Sequence, residues 1–166
     1  IEKVYLNPPS KAYPEAIRAI LDADLVVIGP GDLYTSLIVN LLVEGIVDAL
    51  RKTKAKIVYV LNLMTRYGQT YGFSAKDHIK ALEKYFGENC LDFVLVNLDS
   101  IPSSAARSYK KNDEAPVIDD LENSYFKVIR KNLLSKKETK KVSGDILQRS
   151  LIRHDSNKLA KILIKI

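Results

Sequence analysis

Residues 25–50 read LVVIGPGDLYTSLIVNLLVEGIVDAL. A short apolar run, Leu25 to Gly29, meets a glycine–proline–glycine turn and then an apolar segment that continues to Leu50. Five apolar residues bounded by a turn signal read as a strand with both faces covered. The longer segment from about Leu33 to Lys52 reads as a helix, broken once, and apolar almost all round. Asn40, Glu44 and Asp48 interrupt it, which argues against a lipid environment. Strand, glycine turn and helix form the unit from which parallel α/β sheets are built.

The same alternation recurs on either side. KVYL (Lys3–Leu6) is expected as a first strand, and Pro14–Ala23 as a helix with proline in its first turn. Lys56–Leu63, KIVYVLNL, is the clearest central strand. Thr65–Gly72 is a glycine-rich loop, after which Ser74 and Asp77 have capping-box spacing. Ile79, Leu82 and Phe86 give the following helix one apolar face. LDFVLVN (Leu91–Asn97) is another strand. Residues 100–120 are expected to be mostly loop with a short helical turn. Tyr125–Leu134 is a strand with an exposed lip, Arg149–Asp155 is short and extended, and Ser156–Ile166 is a terminal helix. The fold class is α/β, Rossmann-like and three-layered, with a mostly parallel sheet and helices on both faces.

Composition narrows the class. The 166 residues suit one domain, and 46% apolar content supplies its core. The net charge of +6 is diffuse, which suits an anionic ligand better than nucleic acid. The basic run Lys136–Lys141 reads as a solvated surface loop. A single cysteine, Cys90, excludes an intrachain disulfide, and with two histidines it makes a zinc site improbable. No apolar run approaches the roughly 18 residues needed to span a membrane. These features fit a cytoplasmic protein. The chain opens at Ile1, in a segment that reads as the interior of a longer sequence.

Ligands of open α/β sheets bind beyond the carboxyl ends of the strands. Three strands end there in small or amide residues, Gly29, Asn62 and Asn97, and as neighbours they would share one crevice. Gly29, Pro30 and Gly31 let backbone approach a ligand, while Thr35 and Ser36 offer hydroxyls beside a helix start. Asp32 opposes a bare phosphate at that point. Thr65 and Arg66 could meet sugar or phosphate. Arg153 could fork onto a diphosphate, or pair with Asp155 in a structural role. His154 could act as acid, base or donor. His78 reads as a buried histidine. Tyr109 and Tyr125 could stack on a base or pack in the core. Asp119 and Asp120 could hold a hydrated magnesium ion or form a turn. No nucleophile stands beside a base, so no catalytic residue is assigned.

The motifs in order, ADLVVIGPGDLYTSLIVNLLVEGI, VYVLNLMTRYGQTYGFSAKDHIKAL, DFVLVN and LIRHDSNKLAKIL, resemble the gluconeogenesis-factor family. This is the YvcK-like branch of the CofD-like superfamily. The resemblance runs from near Ile1 to the C-terminus. It implies that the chain is the C-terminal part of a single CofD-like α/β domain, whose preceding half carries a glycine-rich nucleotide loop. It implies a cytoplasmic bacterial regulator that binds UDP-sugars such as UDP-N-acetylglucosamine, with links to cell shape and growth on gluconeogenic carbon. The CofD branch implies instead transfer of a phospholactyl-type group to a deazaflavin, with magnesium. The expected ligand residues are Gly29, Pro30, Gly31, Asp32, Thr35, Ser36, Asn62, Thr65, Asn97, Tyr109 and Arg153. Magnesium bound with a nucleotide diphosphate is the one cofactor considered, and no protein metal site is assigned. The Leu37–Leu50 segment is a candidate homodimer face and carries a third reading, an oligomeric interaction module.

Three departures from the family pattern stand out. Asp32 replaces the serine of GPGSLYTS, and Val39 replaces a proline. TRYGQT (Thr65–Thr70) replaces TQPGET, so a carboxylate becomes Gln69 and a proline becomes Tyr67. Loss of that carboxylate weakens the transferase reading and leaves a binding reading intact.

Overall fold

The computed structural model describes residues 1–136 and 150–166. Four parallel strands, β1 (Leu25–Ile28), β2 (Lys56–Val60), β3 (Phe93–Asn97) and β4 (Lys127–Lys131), lie side by side in chain order. The register aligns Leu25 with Lys56, Val58 with Phe93, and Phe93 with Lys127. All four carboxyl ends therefore point to one edge, and the loops leaving them share that edge.

Helices make the crossovers. α1 (Pro14–Leu21) precedes β1. After β1 comes a wide π-type turn (Leu33–Ile38), then α2 (Val39–Leu41) and α3 (Ile46–Lys52). The expected single break falls at the Leu42–Gly45 turn, where Gly45 has φ +95°. α4 (Ala75–Phe86), α5 (Ser103–Lys110) and α6 (Ser156–Leu163) follow.

The central strands bury both faces, and their side chains alternate between two cores. Ile57, Tyr59, Val94 and Val96 pack with Leu33, Ile38, Leu82 and Phe86 on one side. Val58, Val60 and Leu95 pack with Leu133 and Leu159 on the other. The period of two places α4 and α6 on opposite faces, which makes three layers. The apolar residues Ile38, Leu41, Ala49 and Leu50 of the 37–50 segment are buried in this chain's own core.

α4 starts where the capping box predicts. The Ser74 hydroxyl accepts from the Asp77 N–H, and the Asp77 carboxylate accepts from the Ser74 N–H at 3.0 Å. Those hydrogen bonds hold the Asp77 carboxyl below its ordinary range. Ser74→Ala is expected to lower stability by about 1 kcal/mol, read as a shift in the urea midpoint.

Three expectations are corrected. Lys3–Leu6 forms no strand: the arm is held by the Val4 N–H on the Tyr85 hydroxyl and by Ala12 and Glu44 pairing across Lys11. The Val4 N–H is thereby spent on a side chain rather than on a neighbouring strand. β1 is not covered on both faces, because Val27, on one of them, is 39% exposed. The expected turn near residue 105 is an eight-residue helix, α5, burying Ala105 and Tyr109 one turn apart. Most of the lysine run, together with Arg149, lies outside the described residues.

Candidate ligand-binding site

The first wall is the loop after β1. Gly29 has φ +85°, and a Cβ there would stand 3.1 Å from the Val60 carbonyl oxygen. Only glycine turns the chain so tightly against β2. At Gly31 a Cβ would lie 3.2 Å from Leu37 and 3.3 Å from Ser36. The Asp32 carbonyl then accepts from both Ser36 and Leu37. The Asn62 amide donates to the Gly31 carbonyl at 2.9 Å. Asn62 therefore ties the end of β2 to this loop.

The second wall is the chain leaving β2. It is clamped antiparallel against residues 115–117. The Thr65 N–H donates to the Ala115 carbonyl at 2.7 Å, and the Ala115 N–H donates to the Thr65 hydroxyl at 2.9 Å. Thr65 is buried and its hydroxyl is engaged. The clamp brings Glu114 beside Arg66, with 3.6 Å between guanidinium and carboxylate.

The third wall is residues 150–156. The Tyr109 hydroxyl accepts from the Leu151 and Ile152 N–H groups at 3.0 and 3.4 Å. The Arg153 carbonyl accepts from Ser135, and Asp155 N–H donates to Leu133. Asp155 caps α6, accepting from Asn157 and Lys158. The cap role foreseen for Asp155 is thus filled, while Arg153 is exposed and has no ion pair among the described residues. Burial pushes the His154 imidazole down to about 4. Its Nε2 is buried and unpartnered among the described residues.

Between these walls lies a cleft of about 460 Å³. Of the expected ligand residues, Pro30, Gly31, Asp32, Asn62, Thr65, Tyr109 and Arg153 line it. Gly29, Thr35, Ser36 and Asn97 are not on its wall. Gly29 forms the turn behind it, and Thr35 and Ser36 face solvent. The Asn97 side-chain amide oxygen (Oδ1) accepts from Leu133 N–H, which supports the 150–156 segment from below. Tyr109 presents a ring only 7% exposed, so its place is in the wall. Tyr109→Phe strips a shared acceptor from two N–H groups. It is expected to cost about 1–3 kcal/mol of stability and to weaken any ligand held by Arg153, checked by chemical denaturation and ligand titration.

Other candidates have structural partners. His78 is fully buried, with Nδ1 2.8 Å from the Ser74 carbonyl, and burial lowers its pKa. Asp119 forms a two-pronged pair with Arg130, and Asp120 accepts from Lys76 N–H at the start of α4. Tyr125 donates to Glu83. Among the described residues no cluster of three or more His, Cys, Asp or Glu could hold a metal, and no helix is long and apolar enough to cross a membrane. Glu114 escaped sequence reading because it lies in a polar stretch, and only the pairing of 63–65 with 115–117 brings it to the cleft.

Comparison with known proteins bears on the family and the fold. Residues 1–134 match the family model described as 2-phospho-L-lactate transferase CofD. The chain is 41% identical over its whole length to a protein from Thermotoga maritima named putative gluconeogenesis factor, covering 51% of that relative. It is 38% identical to the gluconeogenesis factor of Bacillus subtilis, with 99% of this chain and 50% of that protein covered. A solved UPF0052-family protein from Bacillus halodurans superposes with a TM-score of 0.87 at 33% identity, covering 99% of this chain and 50% of that one. The chain thus spans about half the length of these relatives, matching their C-terminal half. On fold, family model and relatives together, the chain belongs to the CofD family, among the proteins named gluconeogenesis factors.

Proposed function

We propose that the cleft holds the diphosphate of a nucleotide-sugar of the UDP-N-acetylglucosamine type. The protein would then be a cytoplasmic binding regulator that links such a ligand to growth on gluconeogenic carbon and to cell shape. The observation that carries this reading is the convergence of the Gly29–Asp32 loop, the Asn62–Arg66 segment and Arg153 on one crevice. The crevice stands at the carboxyl ends of parallel strands. Arg153 supplies a cation with no internal carboxylate partner among the described residues, and a guanidinium fork suits a diphosphate. The strands run in chain order from β1, so no reversal of strand order occurs within the described sheet.

Asp32 shapes what can bind. Asp32 lines the cleft, and its negative charge would repel a bare diphosphate. Magnesium usually keeps several waters and takes one or two protein carboxylates beside phosphate oxygens. Asp32 fits that role, and the chain supplies no larger ligand set among the described residues. Asp32→Ser is expected to tighten metal-free binding severalfold and to shrink the gain from added magnesium, measured by titration with and without a chelator.

The matched family model, described as a 2-phospho-L-lactate transferase, supports a second reading, and the family resemblance makes a deazaflavin its acceptor. Thermal-shift measurements on the full-length protein separate the two. Stabilisation by UDP-N-acetylglucosamine and UDP supports the first. Stabilisation by a deazaflavin, with turnover in magnesium, replaces it.

A further inference from the structure

We infer that Glu114 is a built-in competitor for the ligand: its buried carboxylate shares Arg66 with any anion in the cleft, so a diphosphate binds that guanidinium against the pull of Glu114. The inference rests on the diphosphate reading and deepens it. Both residues line the cleft. Their charged ends are 3.6 Å apart, outside hydrogen-bond range, so the guanidinium keeps its donors free. The two side chains differ in depth. Arg66 is 35% exposed and Glu114 is 8% exposed, which puts the cation outward and the carboxylate at the floor. A ligand can therefore reach Arg66 without first moving Glu114.

The backbone beneath the pair is fixed. Thr65, next to Arg66, exchanges two hydrogen bonds with Ala115, next to Glu114. The Arg66 N–H also donates to the Thr70 hydroxyl at 2.8 Å. Only the side chains can rearrange. Arg153 differs, since no described carboxylate holds it. Among the described residues the cleft thus offers one arginine without a carboxylate beside it and one with. A phosphate that bonds Arg66 leaves Glu114 with a weakened partner, and a buried carboxylate resists that loss. The contact at Arg153 comes without this opposition. Glu114 therefore lowers affinity for anions generally, and a ligand with two linked phosphates overcomes it best.

The test titrates UDP, UMP and inorganic pyrophosphate into the full-length protein and into Glu114→Gln, Arg66→Gln and the double variant. Glu114→Gln is expected to bind UDP and pyrophosphate about threefold tighter or more. Arg66→Gln is expected to bind them about tenfold weaker. In the double variant the gain from losing Glu114 should vanish. If Glu114→Gln fails to fold, Glu114→Asp, which retracts the carboxylate from Arg66, should also tighten binding. Unchanged or weaker binding by the Glu114 variants overturns the inference. So does a gain that persists in full without Arg66, which would indicate plain repulsion between Glu114 and the ligand. Pyrophosphate binding with this pattern but no UDP binding sustains the exchange and removes the nucleotide reading. No binding of either probe to any variant removes both.

Discussion

Arg153→Ala is expected to weaken binding of UDP-N-acetylglucosamine tenfold or more. A hydrogen bond to a charged group contributes about 1.5–3 kcal/mol, and Arg153 has no ion pair to absorb its charge among the described residues. Its backbone is fixed independently of its side chain: the carbonyl accepts from Ser135, and neighbouring residues are held by Tyr109 and Leu133. Removing an exposed side chain from so well held a backbone should leave the unfolding midpoint nearly unchanged. The pairing of lost affinity with retained stability identifies a ligand contact. Equal losses in both would identify a structural arginine.

The second large effect is on pH. Burial lowers the His154 pKa from 6.5 to about 4 in the folded chain. The unfolded chain therefore takes up this proton first as pH falls. Stability from the neutral imidazole is complete above pH 6.5 and is lost as pH drops toward 4. The shift corresponds to about 2–3 kcal/mol after allowance for partial exposure. His78 adds in the same direction, since burial also lowers its pKa. The carboxyls of Asp77, Asp92, Asp119 and Asp120 are held low by their partners. Their contributions are lost only below the ordinary carboxylate value of 3.8, so the two windows separate. Urea midpoints should fall between pH 7 and pH 4.5, and His154→Gln should flatten that slope. A level midpoint across this range contradicts the burial of His154.

The elements that were legible in the sequence are those whose local chemistry and pattern agree. Ser74 and Asp77 announced α4, and Ile79, Leu82 and Phe86 gave its buried face. The apolar runs at Leu25, Ile57 and Phe93 are strands because two cores take their alternate side chains. Of the strand ends Gly29, Asn62 and Asn97, only Asn62 lines the cleft, where its amide donates to the Gly31 carbonyl. Two other features depend on tertiary pairing. α5 was hidden by its serines, which favour loops locally, until Ala105 and Tyr109 pack inward. Glu114 is 48 residues beyond Arg66, and nothing local to either marks the other. A tyrosine at 109 suggests stacking by its ring, yet the structure uses its hydroxyl as a post for the Arg153 segment.

Calorimetry of the full-length protein with UDP-N-acetylglucosamine and magnesium tests ligand binding at the cleft most directly. Saturable binding with one ligand per chain is the expected result of the cleft holding a diphosphate, weakened tenfold or more by Arg153→Ala. Absence of heat together with absence of any thermal shift would contradict it, as would binding that Arg153→Ala leaves intact.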